Sequence, residues 1–528
     1  MAQQVPKPLT LIVLDGWGVA PPSDGNAISL ANTPNIDRFI ANYPAMTILT
    51  SGESVGLSEN EPGNSEVGHL TMGIGRVFYQ NLPRVNRAIK NGDFFNNQAF
   101  FKAVNHVKVN KSKLHLIGIL SDGNIQGSID HLYALLELAR QQKVSEVYIH
   151  VILDGLDSLE SGGKDFINDL EKKIHETGVG EIASISGRFF ALDRDGHWDR
   201  TQKAFYAIVH GQADEFYDNP AEAIESSYKK QIFDQGFRPV VITKGGKPKT
   251  TVTEKDAIIF YNIKGDRASQ LTKSFVLDEF LKFERGPKIA NLVFVTMTQY
   301  EKDLPVDVAF PKQIVKTSLT KAISDNGLKQ LYIAETEKYA HVTFFLSGNT
   351  EEPFIGEDRV VIPSPQIDSY VQKPEMSALE ISKRLEKEIL REVYDFIVCN
   401  LANADMLGHT GDIEATKKAI ETVDKVIGTI VNLVLSKDGA VVLVGDHGNA
   451  EEMRDLQTGE INKEHTKNPV PFIIIGKEWE GKNIGVSESI GNDLSLIKPV
   501  GILADVAPTI LKILNLPVPE EMTGKSLI

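Results

Sequence analysis

The sequence predicts an α/β fold: a doubly wound, mainly parallel sheet into which a second α/β domain is inserted. Short β-branched runs alternate with longer amphipathic stretches from end to end, the order that builds parallel sheets covered by helices. Several apolar runs from both ends of the chain stop in acidic or His-bearing loops, which can meet only if the middle of the chain is set aside. No fixed-period repeat or low-complexity tract interrupts the pattern, which excludes a solenoid.

The strand-like runs are LTLIVLDG (9–16), KLHLIGILSDG (113–123), SEVYIHVILDG (145–155), YDFIVCNLAN (394–403) and GAVVLVGDHG (439–448). Between them lie helix-like segments such as SIDHLYALLELARQQ (128–142) and IEATKKAIETVDKVIGTIVNLVLSK (413–437). Functional groups in open α/β sheets gather beyond the carboxyl ends of strands. The loops carrying Asp15, Asp405 and Asp446-His447 are therefore expected at one site, with residues 1–79 and 313–528 forming one discontinuous domain and 80–312 the insert. The crossings are placed in the polar stretch Gln80 to Asn86 and in DLPVDVAFPKQ (303–313), where Pro305 and Pro311 interrupt regular structure.

Composition limits the function. With 528 residues, 41% hydrophobic, 24% charged and a single Cys, the chain is neither fibrous, disulfide-built nor disordered. At about 100–200 residues per domain it holds two to four units. Its 56 Lys+Arg against 71 Asp+Glu leave a net charge of −15, which disfavours nucleic acid and anionic lipid. The leading MAQQVPKPLT is followed by too short an apolar run for a signal peptide, and no run reaches the ~20 apolar residues of a membrane span. A cytoplasmic protein, monomeric and without a membrane partner, is the expectation. The lone Cys399 reads as a buried strand-end thiol in a reducing compartment.

Asp15, Asp405, His409, Asp446, His447 and His465 form a mixed carboxylate and imidazole set that suits Mn²⁺, Zn²⁺ or Co²⁺ better than Mg²⁺. The set exceeds the need of one ion and points to two, which about 3.5–4 Å apart would serve a displacement at phosphorus. Taken singly, Asp-x-x-x-His is an ordinary polar pair and Asp-His-Gly an ordinary turn. It is their shared position after apolar runs that argues for metal. Ser65, in EPGNSEVGHLTMGIGR (61–76), falls at or near a helix N-terminus, where free N–H groups favour an anion or alkoxide; the alternative is a plain Ser N-cap. It lacks a serine-protease elbow, so a metal is its expected activator.

At this segment the chain resembles the cofactor-independent (2,3-bisphosphoglycerate-independent) phosphoglycerate mutases of the alkaline phosphatase superfamily. The resemblance runs through LIVLDGWG (11–18), GNSEVGHLTMGIGR (63–76), SGRFFALDRDGHWDR (186–200), AETEKYAHVTFF (334–345), EEPFIGEDR (351–359), IPSP (362–365), KPEMSA (373–378), NADMLGHTGD (403–412) and GDHGNAEE (445–452). It implies an alkaline-phosphatase-like sheet and interconversion of 3-phosphoglycerate and 2-phosphoglycerate in glycolysis or gluconeogenesis, with two Mn²⁺ and no 2,3-bisphosphoglycerate. Ser65 would become phosphoserine and join Asp15, Asp446 and His447 on one ion, while Asp405, His409 and His465 hold the other. Lys338 would counter the phosphoryl charge, Asp157 would act as acid/base, and Arg188, Arg194 and Arg267 would bind substrate. The implied mechanism passes the phosphoryl group to Ser65, re-orients the glycerate and returns the group to the other hydroxyl, with domain closure excluding water.

Three positions depart from the family pattern: Gln126 replaces a His, Leu156 an Arg and Lys264 an Arg. Leu156 removes a fork-shaped donor, whereas Lys264 keeps charge without bidentate geometry. The main reading is a divergent mutase in which Gln126, Lys264 and the remaining arginines still bind phosphoglycerate. The alternatives are a metal-dependent phosphatase or mutase for another small phosphorylated substrate, and a non-catalytic metal-binding homologue. A sulfatase is excluded by the lack of a C/S-x-P-x-R frame at Cys399 or Ser65, and Ser65 stands where superfamily phosphodiesterases usually use Thr.

Overall fold

The computed structural model describes residues 5–482 and 493–528, and the first four residues of the leader stretch read above lie outside it. The chain packs as two compact units, residues 1–80 with 314–528, and residues 81–313.

The first unit is built on an eight-stranded sheet in the order Glu357–Ile362, Gln330–Glu335, Phe396–Leu401, Leu9–Leu14, Ala440–Gly445, Val470–Ile475, Ala45–Leu49, Gly501–Ile502. All pairings are parallel except the two made by Val470–Ile475. Leu9–Leu14 sits in the middle, bonded to Phe396–Leu401 on one side and Ala440–Gly445 on the other. Every residue of these three strands is buried, because helices cover both faces. Leu9, Leu11 and Val13 enter one core, and Ile12 and Leu14 the other. The helix Ile413–Ser436 supplies Ile420, Val423, Ile427, Ile430 and Val434 to that second core at helical spacing, and the Asp412 side chain caps it by accepting from Ala415 N–H at 2.9 Å. Cys399 lies fully buried in Phe396–Leu401.

The second unit carries a sheet in the order Asp307–Phe310, Val293–Thr298, Ala257–Phe260, Leu114–Leu120, Val147–Leu153, Glu181–Gly187, Val240–Lys244, Glu215–Tyr217. From Leu114–Leu120 the chain steps outward to Val147–Leu153 and Glu181–Gly187, then returns to Ala257–Phe260 on the other side. The strand order therefore reverses between Leu114–Leu120 and Ala257–Phe260, and ligands of such sheets bind at that crevice. The stretch 303–313 is not the irregular link its prolines suggested: Asp307–Phe310 is an edge strand, where Pro305 and Pro311 flank the ladder without removing a bond from it. The helix Asn81–Asn91 likewise occupies the polar stretch after Gln80.

A buried polar chain crosses this second sheet. Ser184 O–H reaches His150 Nδ1 at 2.8 Å, His150 Nε2 meets His115 Nδ1 at 3.0 Å, and His115 Nε2 meets Asp256 Oδ2 at 3.3 Å. Burial would raise the Asp256 carboxyl, but donors from His115, Lys113 and Thr253 bring it down to about 2. Each imidazole then donates toward Asp256, so both stay neutral. Burial lowers the pKa of His115, takes His150 well below the usual value and brings His131, on the helix Ile129–Gln141, down to about 4.

The unfolded chain protonates these imidazoles near pH 6.5 and so binds more protons than the folded one below that value. Their contribution is complete above it and is lost as the pH falls, for His131 as far as about pH 4. Urea titrations between about pH 7 and pH 5 should show the second unit losing stability steadily, read as faster hydrogen exchange in Leu114–Leu120 and Val147–Leu153. A pH-independent midpoint would contradict neutral burial.

Candidate metal and nucleophile site

The first unit brings Asp15, Ser65, Lys338, Asp405, His409, Asp446, His447 and His465 to the carboxyl edge of its parallel strands. Asp15 follows Leu9–Leu14 and Asp446 follows Ala440–Gly445 directly. Asp405 lies in the short helix Asn403–Gly408 after Phe396–Leu401, with His409 one turn on. Backbone bonds lock this edge: Asp15 N–H donates to the Leu401 carbonyl at 3.2 Å, and Asp405 N–H to the Asp15 carbonyl at 3.0 Å. Gly16 permits the approach, since it has φ +72° and a Cβ there would stand 2.5 Å from the Asp405 Cα.

His465 does not follow a strand, contrary to the expectation that every ligand does. It precedes Val470–Ile475, and because that strand runs antiparallel to Ala440–Gly445 its start reaches the edge where its neighbour ends.

Ser65 is the first residue of the helix Ser65–Ile74, and Asn64, not Ser65, caps that helix by accepting from Val67 N–H at 2.9 Å. The hydroxyl is thereby free. Ser65 Oγ lies 2.9 Å from His447 Nε2, 3.3 Å from Asp15 Oδ1 and 2.7 Å from Lys338 Nζ. The Lys338 ammonium also stands 2.6 Å from Asp15 Oδ1 and 2.6 Å from Asp405 Oδ2. Burial alone would lower its pKa, but Asp15, Asp405 and Asp446 drive it well above the ordinary lysine value, so Lys338 is a fixed cation. For Asp405, burial pushes the carboxyl up, but Lys338 and bonds from His409 and His465 hold it well below the carboxylate range. Asp15 is raised by burial and by Asp446, with Lys338 opposing.

Imidazole tautomers follow from the partners, since a carbonyl only accepts. His409 Nδ1–H donates to the Lys463 carbonyl at 2.7 Å, and His465 Nδ1–H to the Gly63 carbonyl at 2.9 Å. Their Nε2 atoms face each other at 3.0 Å and face Asp405 Oδ1 at 3.3 and 3.2 Å, and in the neutral imidazoles these are lone pairs. Acceptors converging in this way are satisfied by a proton on one imidazole or by a shared metal cation. A proton there is favoured by Asp405, which raises both imidazole pKa values: for His409 the bond to Asp405 leads, and for His465 Asp405 outweighs burial.

A second donor group forms around Asp446. Its Oδ1 accepts from Gly16 N–H at 3.2 Å and its own neighbour His447 N–H at 3.0 Å, while Oδ2 is buried without a hydrogen-bond partner, 3.6 Å from His447 Nε2. His447 Nδ1–H points to the Gly448 carbonyl at 3.3 Å, leaving Nε2 as a donor atom for a metal. The residues present thus fit two divalent cations of the nitrogen-tolerant kind.

Other members of the site carried no signal of their own in the sequence. His69, one turn after Ser65, donates from Nδ1 to the Ser65 carbonyl at 2.8 Å and lies 3.4 Å from Asp446 Oδ2. Asn400 donates to Asp15 Oδ2 at 2.7 Å and meets His69 Nε2 at 3.2 Å. Asn449 reaches Asp405 Oδ1 at 3.3 Å. The helical spacing of His69 from Ser65 was the one available hint.

The second unit gathers the remaining candidates at the carboxyl edge of its own sheet. Arg188 Nη1 pairs with Asp154 Oδ1 and, at 2.6 Å, with Asp157 Oδ2, while Arg194 pairs with Asp266 at 2.5 Å. Gln126, on the loop after Leu114–Leu120, is buried, and its carbonyl accepts from Ile263 N–H at 2.8 Å across the crevice where strand order reverses. Its side-chain Oε1 has no partner. Lys264 precedes the helix Gly265–Val276, which carries Arg267 in its first turn. Leu156 is 56% exposed beside Asp157.

The Metalloenzyme superfamily profile matches residues 7–518. A 2,3-bisphosphoglycerate-independent phosphoglycerate mutase of Clostridium botulinum is 47% identical over 523 residues, 99% of each chain. Its counterpart in Moorella thermoacetica is 46% identical over 528 residues, 100% of this chain and 99% of the other. A phosphoglycerate mutase structure from Leishmania mexicana, determined at low cobalt concentration, matches with a TM-score of 0.52 and 28% identity over 99% of this chain and 98% of that one.

Lys338→Met should leave Asp15 and Asp405 without their shared cation and destabilise chelator-treated protein by about 3–5 kcal/mol, as breaking a buried ion pair does. Added Mn²⁺ should recover part of the lost melting temperature by restoring positive charge. An unchanged melting temperature would contradict the central role of this ammonium.

Proposed function

The chain belongs to the 2,3-bisphosphoglycerate-independent phosphoglycerate mutases, and on that footing we propose that Ser65 carries the phosphoryl group as the enzyme interconverts 3-phosphoglycerate and 2-phosphoglycerate. The observation that supports Ser65 most is its triple contact with Lys338, His447 and Asp15 at a helix N-terminus.

Asp15, Asp446 and His447 with Ser65 would hold one divalent cation, and Asp405, His409 and His465 the other; Mn²⁺ is our assignment, with Zn²⁺ or Co²⁺ as substitutes. When bound, such ions supply Lewis-acid charge to a phosphoryl group and favour the serine alkoxide. The chain's own residues do the rest. Lys338, a permanent donor to Ser65 Oγ, stabilises an alkoxide there and then the equatorial charge of the transferring phosphoryl group. Ser65 passes its hydroxyl proton to solvent as the alkoxide forms, and its Oγ then makes the new P–O bond as the bond to the glycerate oxygen breaks; Asp157, once it has left Arg188 and taken a proton from solvent, donates the proton that oxygen needs. On return, Asp157 takes the proton of the other hydroxyl as that oxygen attacks phosphorus and Ser65 leaves.

Arg188, Arg194, Arg267, Lys264 and Gln126 are our candidates for substrate recognition. Arg188 and Arg194 are neutralised by carboxylates, so an anionic substrate would bind by exchanging partners with them. The single thiol, Cys399, is buried and its pKa is pushed up by burial, which fits the reducing cytosol where we place the enzyme.

A coupled assay of 3-phosphoglycerate conversion, run without added bisphosphoglycerate and beside a phosphate-release assay, tests this reading. Turnover with little free phosphate is expected, whereas phosphate release alone would make the chain a phosphatase. Ser65→Ala should abolish turnover while folding persists. Excess chelator should abolish it reversibly, and Mn²⁺ should restore it best.

A further inference from the structure

Glu451 is not among the assigned ligands, yet the loops that carry them converge on it. It is 1% exposed, and each carboxylate oxygen accepts two hydrogen bonds. Oε2 takes Gly18 N–H at 3.1 Å and Asn449 N–H at 2.8 Å. Oε1 takes the Thr466 hydroxyl and, at 3.1 Å, Asn468 Nδ2.

These donors come from three segments, one near the start of the chain and two near its end. Gly18 closes the loop that begins at Asp15, Asn449 follows Asp446 and His447, and Thr466 follows His465. Asn449 extends the connection, because its backbone is held by Glu451 while its side chain reaches Asp405. The glycines on either side are explained by the same carboxylate. A Cβ on Gly18 would stand 2.2 Å from Glu451 Cδ, and one on Gly448 would stand 2.3 Å from Oε1. Neither glycine has a positive φ that would call for it on backbone grounds.

We propose that Glu451 is a positioning residue that sets the two metal clusters in register, so that its loss weakens both together. The inference rests on the two-cation reading above. It differs from the role assigned to each ligand, since each is assigned to one cation and Glu451 joins loops that serve both. Groups that orient metal ligands typically change metal affinity by about 10–100-fold when removed.

The test is Mn²⁺ titration of chelator-treated full-length protein by calorimetry, with the Mn–Mn interaction followed by electron paramagnetic resonance. Glu451→Ala should weaken both binding events by at least about tenfold, whereas His465→Ala should lose one ion and keep the other. Glu451→Gln should fall between, because its carbonyl still accepts the two backbone N–H groups while its amide must turn the Thr466 hydroxyl into an acceptor. Gly18→Ala should displace the carboxylate and reproduce the Glu451→Ala affinities, with little further loss in the double variant. Should Glu451→Ala fail to fold, Glu451→Gln and Gly18→Ala report the same property.

The proposal is overturned if folded Glu451→Ala binds Mn²⁺ as the parent does and loses only thermal stability. Loss of a single ion, or full additivity with Gly18→Ala, overturns it equally. A parent protein that takes up no Mn²⁺ overturns the two-cation reading itself and this inference with it.

Discussion

Three buried carboxylates around one buried ammonium govern the first unit. Asp15, Asp405 and Asp446 are each no more than 2% exposed, and Lys338 joins two of them directly. Two like charges about 4 Å apart repel by about 4 kcal/mol at an effective dielectric constant of 20. Such a group is stable only if cations and donors are held against it from every side. The three central strands, buried on both faces, give the rigid edge on which this is possible. The amides of Asn400 and Asn449 and the backbone N–H groups of Gly16 and His447 then occupy lone pairs of these carboxylates. What is left over, Asp446 Oδ2 and the facing Nε2 atoms of His409 and His465, is the part that calls for metal.

Much of this was legible in the sequence, for a definite reason. Asp15, Asp405 and Asp446 each follow an apolar run, and in a parallel sheet the ends of such runs share one edge whatever their distance in sequence. His465 obeys a different geometry: it enters a reversed strand, and sequence gives no sign of strand direction. Its pairing with Asp405 was legible only through family resemblance. Asn400, Asn449 and Glu451 were not legible at all, and His69 only through its helical spacing from Ser65, because His, Asn and Glu each have a commoner role on a helix or in a loop. Only the three-dimensional convergence of their hydrogen bonds separates them from that background. Ser65 shows the same limit in reverse, since the capping role that competed for it belongs to Asn64, one residue earlier.

The second unit uses polar burial differently. Its chain from Ser184 through His150 and His115 to Asp256 places one negative charge at one end and keeps both imidazoles neutral. No cation beyond the nearby Lys113 is needed, because the aligned donors of Lys113, Thr253 and His115 satisfy the carboxylate. One unit therefore concentrates unmet charge at a strand edge, where chemistry can use it. The other disperses its charge through a closed network within the sheet, where it contributes to the identity of the core.

The pairing of Arg188 with Asp154 and Asp157, and of Arg194 with Asp266, bears on selectivity as an exchange equilibrium. A guanidinium whose charge is already paired with a carboxylate offers less to a lone anion such as inorganic phosphate, whose bond replaces the one it breaks. A ligand that presents several anionic groups at once can displace several carboxylates in one event and gain from each replacement without a further loss of translational freedom. If Arg188 and Arg194 bind substrate as proposed, the internal ion pairs would act as a threshold on valency. On the proposed assignment of these arginines to substrate, that threshold would favour a multivalent molecule over the small anions around it.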